Sequence, residues 1–298
     1  MNCVIKICLV FSLDCIFVSD LHGKNKRYES LFKIILKEKP DAIFLGGDLL
    51  PNQFSLDSDM DKFIDNEIFS NIKKVRKDAN KNIKFFIILG NDDPRVYEHF
   101  FESAEKKGLI DYVHNKTVEY EKLHVSGYAY VPPTPFQLKD WERYDVSRYV
   151  DVGAISPEKG KRTVDVHIDE IKYTTIAEDL EELTKNSPMD KTIFLFHSPP
   201  YNSLLDRADL HGKLVDHAPM DIHVGSIAIQ RFIEKKQPFL TLHGHVHESA
   251  RLTGHWKERF GKTFSFTAAH DGPELALIKF DTDDLKNATR ELIAVAVS

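Results

Sequence analysis

Three unbroken apolar stretches, each running into a glycine-flanked polar turn and then a helix, limit what this chain can fold into. Cys15 to Ser19 ends in Asp20-Leu21-His22-Gly23. Ala42 to Leu45 ends in Gly46-Gly47-Asp48, and Lys84 to Leu89 in Gly90-Asn91-Asp92-Asp93-Pro94. Strands apolar on both faces belong to sheets covered on both sides. The intervening stretches carry one apolar stripe at helical spacing. Leu31, Phe32, Ile35 and Leu36 mark a helix from Tyr28 to Lys39, closed by Pro40. Phe63, Ile64, Ile68, Ile72 and Val75 mark a second from Met60 to Lys77, and Val96 to Lys107 is a third, closed by Gly108. Ligands gather at the carboxyl ends of strands in such sheets. Those ends carry Asp20, His22, Asp48 and Asn91.

The texture changes after Leu109. Tyr112–Val113, Thr117–Tyr120 and His124–Tyr128 read as short strands, followed by the proline-rich run Tyr130 to Phe136. Residues 130–172 are expected to form an irregular insertion capping the site, since long loops in compact domains are often functional. Regularity returns with a helix from Thr174 to Lys185 and a buried strand from Thr192 to Phe196, ending in His197-Ser198-Pro199-Pro200-Tyr201. A second irregular segment, 202–224, precedes a helix from Ser226 to Lys236. Thr263–Thr267 and Leu275–Phe280 read as closing strands.

Between them, the run Pro238 to Leu242 leads into His243-Gly244-His245-Val246-His247. Residues two apart on an extended chain point the same way, so three imidazoles can share a side. Collecting the polar strand ends gives Asp20, His22, Asp48, Asn91, His197, His245 and His247. Carboxylate, imidazole and amide oxygen suit borderline divalent cations: manganese, iron, zinc or nickel. Seven donors exceed one tetrahedral ion and fit two ions bridged by a carboxylate.

These five motifs in this order resemble the calcineurin-like metallophosphoesterase family, over about Cys15 to Phe280. The resemblance implies an α/β fold, a four-layer αββα sandwich of two mixed sheets flanked by helices. It implies hydrolysis of a phosphomonoester or phosphodiester by a dinuclear metal-activated hydroxide. Asp20, His22 and His247 would hold one ion, Asn91, His197 and His245 the other, and Asp48 would bridge. The third motif departs from the family pattern. Where relatives carry a histidine that contacts phosphate and protonates the leaving group, this chain has Asp92. Asp92, or a histidine of 202–224 such as His223, is expected to take that role. Asp93 before Pro94 reads as a helix N-cap. Tyr128 to Phe136, His197 to Tyr201 and His223 to Ser226 resemble a prokaryotic branch related to Icc-type phosphoesterases, which implies that Tyr201, His223 and Ser226 lie near the site and that Asn91, Tyr201 and Ser226 contact substrate. His243 is expected to support the ligands or to pack. Lys24, Lys26 and Arg27 read as a solvated basic turn.

Other features bound the function. The net charge of −6 gives no global attraction to nucleic acid, and no extended basic groove is visible, so a small phosphorylated substrate is the expected partner. No run reaches the ~20 apolar residues of a membrane helix. The 3 cysteines all fall within the first fifteen residues, which suggests no disulfide framework and a reducing, cytoplasmic setting. Residues 1–13 read as an extra strand or extension on one domain spanning 1–298. The alternative function is a non-catalytic scaffold or binding protein on the same fold, for which missing ligands would be the sign. Oligomeric state is not legible.

Overall fold

A computed structural model describes residues 12–51 and 59–295, so most of the expected N-terminal extension lies outside it. In chain order, β1 (Asp14–Val18) leads through α1 (Asn25–Glu38) to β2 (Ala42–Gly46). Then α2 (Met60–Phe63) passes through a π-helical stretch, Ile64–Ser70, into α3 (Asn71–Ala79) and β3 (Lys84–Ile88). Next come α4 (Glu98–Lys106), β4 (Asp111–Tyr112), β5 (Lys116–Tyr120) and β6 (Leu123–Tyr128). After the insertion follow α5 (Ile168–Tyr173), α6 (Ile176–Leu183) and β7 (Thr192–Phe196). The small hairpin β8 (Leu214–Val215) and β9 (Ala218–Pro219) precedes α7 (Ile227–Lys236), β10 (Leu240–His243) and α8 (Ser249–Thr253). The chain closes with β11 (Lys257–Phe260), β12 (Thr263–Thr267), β13 (Leu275–Asp281) and β14 (Thr289–Ile293).

Two six-stranded sheets result, in the orders β14-β13-β1-β2-β3-β4 and β11-β12-β10-β7-β6-β5. Both are mixed. In the first, β1 to β4 run parallel and β13 pairs antiparallel with β1. In the second, β6, β7, β10 and β12 run parallel between the antiparallel edges β5 and β11. The faces between the sheets meet through aromatic side chains: Phe86 of the first sheet meets Tyr120 of the second at 5.1 Å, and Phe280 of the first meets Phe266 of the second at 6.1 Å. On the far side of the second sheet, Phe232 of α7 meets Phe194 edge-on at 4.9 Å. The expected α/β fold of two mixed sheets flanked by helices is the fold observed.

The structure differs from the expected elements in several places. The helix read as continuous from Met60 to Lys77 passes through the π-helical stretch, where a wider turn is inserted without breaking the apolar face. Pro94 has extended backbone, and a 3-10 turn at Arg95–Tyr97 precedes α4. Edge strands β11 and β14 were not visible as apolar runs. The insertion, expected as an irregular cap, is packed against the rest of the fold. Trp141 within it is fully buried, and Val131 bridges Glu142 while Tyr144 bridges Thr175. At its base Lys139 and Glu142, both without solvent exposure, form an ion pair. Glu142 also accepts from the Thr134 hydroxyl at 2.5 Å and the Thr134 amide at 2.8 Å, and Lys139 Nζ donates to the Thr134 carbonyl at 2.8 Å.

Candidate metal centre

The carboxyl ends of β1, β2 and β3 meet those of β7 and β10, because both parallel blocks point the same way into the space where the sheets adjoin. The turns after β1 and β2 are zipped together by backbone bonds. Asp20 N donates to Gly47 O at 2.9 Å, and His22 N to Asp48 O at 2.8 Å. Asp20, His22, Asp48 and His245 all adopt left-handed backbone, with φ of 57°, 47°, 51° and 72°. Such conformations cost about 1–3 kcal/mol at a non-glycine residue and persist where the surroundings over-determine them. The glycines beside them make room. A Cβ on Gly90 would collide with Asp48 Oδ1, and one on Gly47 would stand 2.6 Å from His197 Nδ1.

Side-chain atoms converge accordingly. One donor atom from each of Asp20, His22, Asp48 and His247 lies within 4.8 Å of the others. His247 Nε2 is 3.1 Å from His22 Nε2 and 3.2 Å from Asp20 Oδ1. Ligand atoms around one ion at about 2.0–2.2 Å fall at such separations. His197 Nε2 lies 3.0 Å from Asn91 Oδ1 and 3.3 Å from Asp48 Oδ2, so Asp48 faces both groups. Its ring is aimed by the opposite nitrogen, which donates to the Gly46 carbonyl at 2.8 Å, the arrangement that fixes metal-binding imidazoles. The His245 ring stands 5.3 Å from that of His197. Two ring nitrogens 3.1 Å apart, next to carboxylates, form a donor set suited to a cation, so these residues fit the expected divalent ions.

Without a cation the site balances its own charge. Burial pushes the Asp20 carboxyl up, but the His247 hydrogen bond and the neighbouring imidazoles outweigh it and hold the group well below the usual range. Asp48 is likewise held down to about 2 by His197 and His22 against its burial. His197 goes the other way: burial lowers it, but the Asp48 charge and hydrogen bond raise it to about 10. Its raised value stabilises the folded state fully below the reference 6.5, and the contribution is lost as pH rises toward 10. A bound ion must displace that proton. Metal-free protein is therefore expected to lose thermal stability between pH 6.5 and 10 through this group, and metal addition at neutral pH to release protons. Calorimetric titration with manganese in buffers of differing ionisation enthalpy reads that release; heats independent of buffer would show His197 already neutral.

The remaining residues singled out by the sequence have definite places. Asp92 is 36% exposed at its side chain, with Oδ2 3.7 Å from His22 Nδ1, and its backbone N–H donates to Asp48 Oδ1 at 2.8 Å. Burial and the Asp48 charge push its carboxyl up to about 7. Asn91 Nδ2 reaches its Oδ1 at 3.3 Å. His223 Nδ1 donates to Asp206 Oδ1 at 2.7 Å, and Asp206, fully buried, also accepts the amides of Asn202, Ser203 and Gly225. A carboxylate only accepts, so Nδ1 carries the proton and Nε2 is left open. Tyr201 Oη donates to Asp221 at 2.8 Å. Ser226 caps α7, accepting from Ile229 N at 3.0 Å and donating to Asp145 at 2.6 Å, so its hydroxyl is committed to the helix start. His243 is fully buried beneath the site, bonded to Ser198 O and Thr241 Oγ1 and stacked on Phe196.

Two expectations are corrected. Asp93 does not cap a helix. Fully buried, it accepts from the amides of Leu49, Leu50 and Gly90 at 3.1, 2.7 and 2.9 Å, tying the β3 turn to the β2 turn. Arg27 is not part of a solvated turn. It is 3% exposed and donates to the Asp20 carbonyl at 2.7 Å and the Gly272 carbonyl at 2.6 Å, bracing the left-handed Asp20. No local signal marked Asp206 or Trp141 as partners of the site. Trp141 Nε1 donates to the Asp93 carbonyl at 2.8 Å.

A cavity of about 230 Å³ opens beside His245, between the insertion and the 202–224 segment, and His223 lies in its wall. No described helix is long and apolar enough to cross a membrane.

Comparison with known proteins agrees with this geometry. One solved chain superposes with a TM-score of 0.57 at 15% identity, covering 95% of this chain and 100% of its own. The protein TT1561 of Thermus thermophilus gives 0.53 at 16% identity, over 95% of this chain and 99% of that one. A dimetal phosphatase from Danio rerio gives 0.52 at 10% identity, over 90% and 91%. At these identities the likeness establishes the fold alone. Curated proteins provide no match. The sequence itself matches the calcineurin-like phosphoesterase family over residues 14–249, a span that takes in every strand end at which the donors converge. The chain belongs to that family of metallophosphoesterases, and it is a hydrolase by that membership.

Proposed function

We propose that this protein hydrolyses a phosphoester, with Asp20, His22 and His247 holding one divalent ion, Asn91, His197 and His245 a second, and Asp48 shared between them. The observation that carries the reading is the convergence of seven donors from five strand ends of two sheets. When bound, two such ions supply charge neutralisation and a water of lowered pKa. The completeness of the donor set supports catalysis over a scaffold role.

The chain's own groups complete the chemistry. Asp92 accepts from the Asn91 amide nitrogen at 3.3 Å, which turns Asn91 Oδ1 toward His197 and leaves the amide edge near where a phosphoryl oxygen would sit. His223 is the stronger candidate to protonate the leaving alkoxide. It shares a cavity wall with His245, and Asp206 fixes its tautomer, so that Nε2 of the protonated ring delivers the proton. Asp92 does not line that cavity. Tyr201 and Ser226, engaged by Asp221 and Asp145, have no part in this scheme.

Hydrolysis of 4-nitrophenyl phosphate and bis(4-nitrophenyl) phosphate across manganese, nickel, magnesium and zinc tests the reading. No turnover with two ions bound per chain would replace it with the scaffold. General-acid help contributes about 10²–10⁴-fold and matters most for poor leaving groups. His223→Ala is expected to lower kcat on an alkyl phosphoester about 10²-fold and to change nitrophenyl ester turnover little. Asp92→Asn is expected to keep the alkyl-ester rate. If instead Asp92→Asn removes it, the proton comes from Asp92.

A further inference from the structure

We propose that the cavity beside His245 is the subsite for the alcohol portion of the substrate, and that it selects a small apolar alcohol bearing no negative charge. The inference rests on the phosphoester hydrolysis proposed above and names its substrate class. The cavity is lined by His245, one of the proposed ligands, and by His223, the proposed proton donor, so a leaving oxygen passing between these two groups would place its alcohol there. Its surface is formed largely by apolar side chains, among them Pro132, Phe136, Val152, Met220 and Val246. A volume of about 230 Å³ falls below the ~300–1,000 Å³ of sites for drug-sized ligands and suits one ring or a short chain.

Charge decides the rest. The lining contains Asp151, Asp221 and Glu248, and no lysine or arginine among the described residues. Two of the three carboxylates are held in place: Asp221 accepts from Tyr201 Oη at 2.8 Å and from the His223 amide at 2.9 Å, and Glu248 from the Asp209 amide at 3.0 Å. No cation among the described residues pairs with the Asp151 carboxylate. A second phosphate or a carboxylate on the alcohol would enter a walled apolar space facing three like charges, and specificity against a ligand is built by such repulsion. A neutral or ammonium-bearing alcohol meets no such barrier.

Three monoesters separate the cases: phenyl phosphate, 3-carboxyphenyl phosphate and 3-(aminomethyl)phenyl phosphate. With the manganese-loaded protein, kcat/KM for the carboxyphenyl ester is expected at least about tenfold below the phenyl ester, with the aminomethyl ester equal or better. Asp151→Lys, at an exposed position, should bring the carboxyphenyl ester to within about threefold of the phenyl ester. Ala154→Trp, which narrows the cavity, should depress all three. Binding is read without turnover by calorimetry with benzylphosphonate and 3-carboxybenzylphosphonate, where the same tenfold preference is expected. Equal efficiency and equal binding for the neutral and carboxylated compounds, or a carboxyl penalty untouched by Asp151→Lys, would overturn the assignment. Absence of hydrolysis of every ester with two ions bound would instead sink the proposed activity, while the calorimetric preference would still report on the cavity.

Discussion

Asp48→Asn is expected to lower kcat at least about 10³-fold while leaving the protein folded, the size of loss seen when a preorganised electrostatic group is removed. Asp48 faces both donor groups, 3.3 Å from His197 and 4.0 Å from His22, with its other oxygen accepting the Asp92 amide at 2.8 Å. An amide offers one oxygen where two are used, and it turns N–H groups toward neighbours that need an acceptor. The same change removes the charge that holds His197 protonated in the metal-free protein. Imidazole deprotonation then costs less, so the variant should release fewer protons per bound ion even as it binds the ions more weakly. Metal analysis after dialysis, circular dichroism and kcat measured together check this. A variant that keeps two ions and more than a tenth of the activity would remove Asp48 from the shared position.

The second large effect concerns stability. Glu142→Ala is expected to cost about 3–5 kcal/mol, the penalty for leaving one member of a buried ion pair without its partner. The side chains of Lys139 and Glu142 are both fully shielded from water, and among the described residues Thr134 supplies the other hydrogen bonds of those side chains. Removing Glu142 strands the Lys139 ammonium together with the Thr134 amide and hydroxyl. Replacing both, as Lys139→Met with Glu142→Leu, should recover most of the loss, because apolar residues of similar volume do not carry the desolvation cost of two charges. Urea unfolding of wild type, single and double variants decides it. A single variant within about 1 kcal/mol of wild type would mean that water reaches the pair.

The site was legible because its chemistry is written at places the sequence also marks structurally. Asp20, Asp48, Asn91, His197 and His245 each follow an apolar strand and lie beside glycine or a proline-rich turn. Strand β2 was readable to within one residue, Ala42 to Leu45 against the observed Ala42–Gly46, since all five of its positions are buried and apolar or glycine. The edge strands β11 and β14 were not. Strand β11 reads Lys-Glu-Arg-Phe and β14 Thr-Arg-Glu-Leu-Ile, charged patterns that protect a sheet edge and erase the apolar signal. The π-helical stretch left the helical stripe intact, so no period announced it. Asp93 shows the other limit: its neighbour Pro94 made a cap plausible locally, whereas its partners Leu49 and Leu50 lie more than forty residues away. Asp206 and Trp141 escaped for the same reason, since their importance lies in what they touch.

The bond from Trp141 to the Asp93 carbonyl fixes how substrate preference can drift in this protein. The insertion is fastened to the turn that carries Asn91, and Arg95 N is held by Asp140 at 2.8 Å beside it. These two bonds tie the insertion directly to the turn after β3, so a shift of one bears on the other. Residues of the insertion divide into anchors, Trp141, Asp140, Lys139 and Glu142, which face inward, and wall residues such as Phe136 and Val152, which face the cavity. If the cavity takes the alcohol as proposed, substitutions in the second group would retune the alcohol accepted, whereas those in the first would also disturb the turn after β3, so a change in substrate range would fall to the few wall positions.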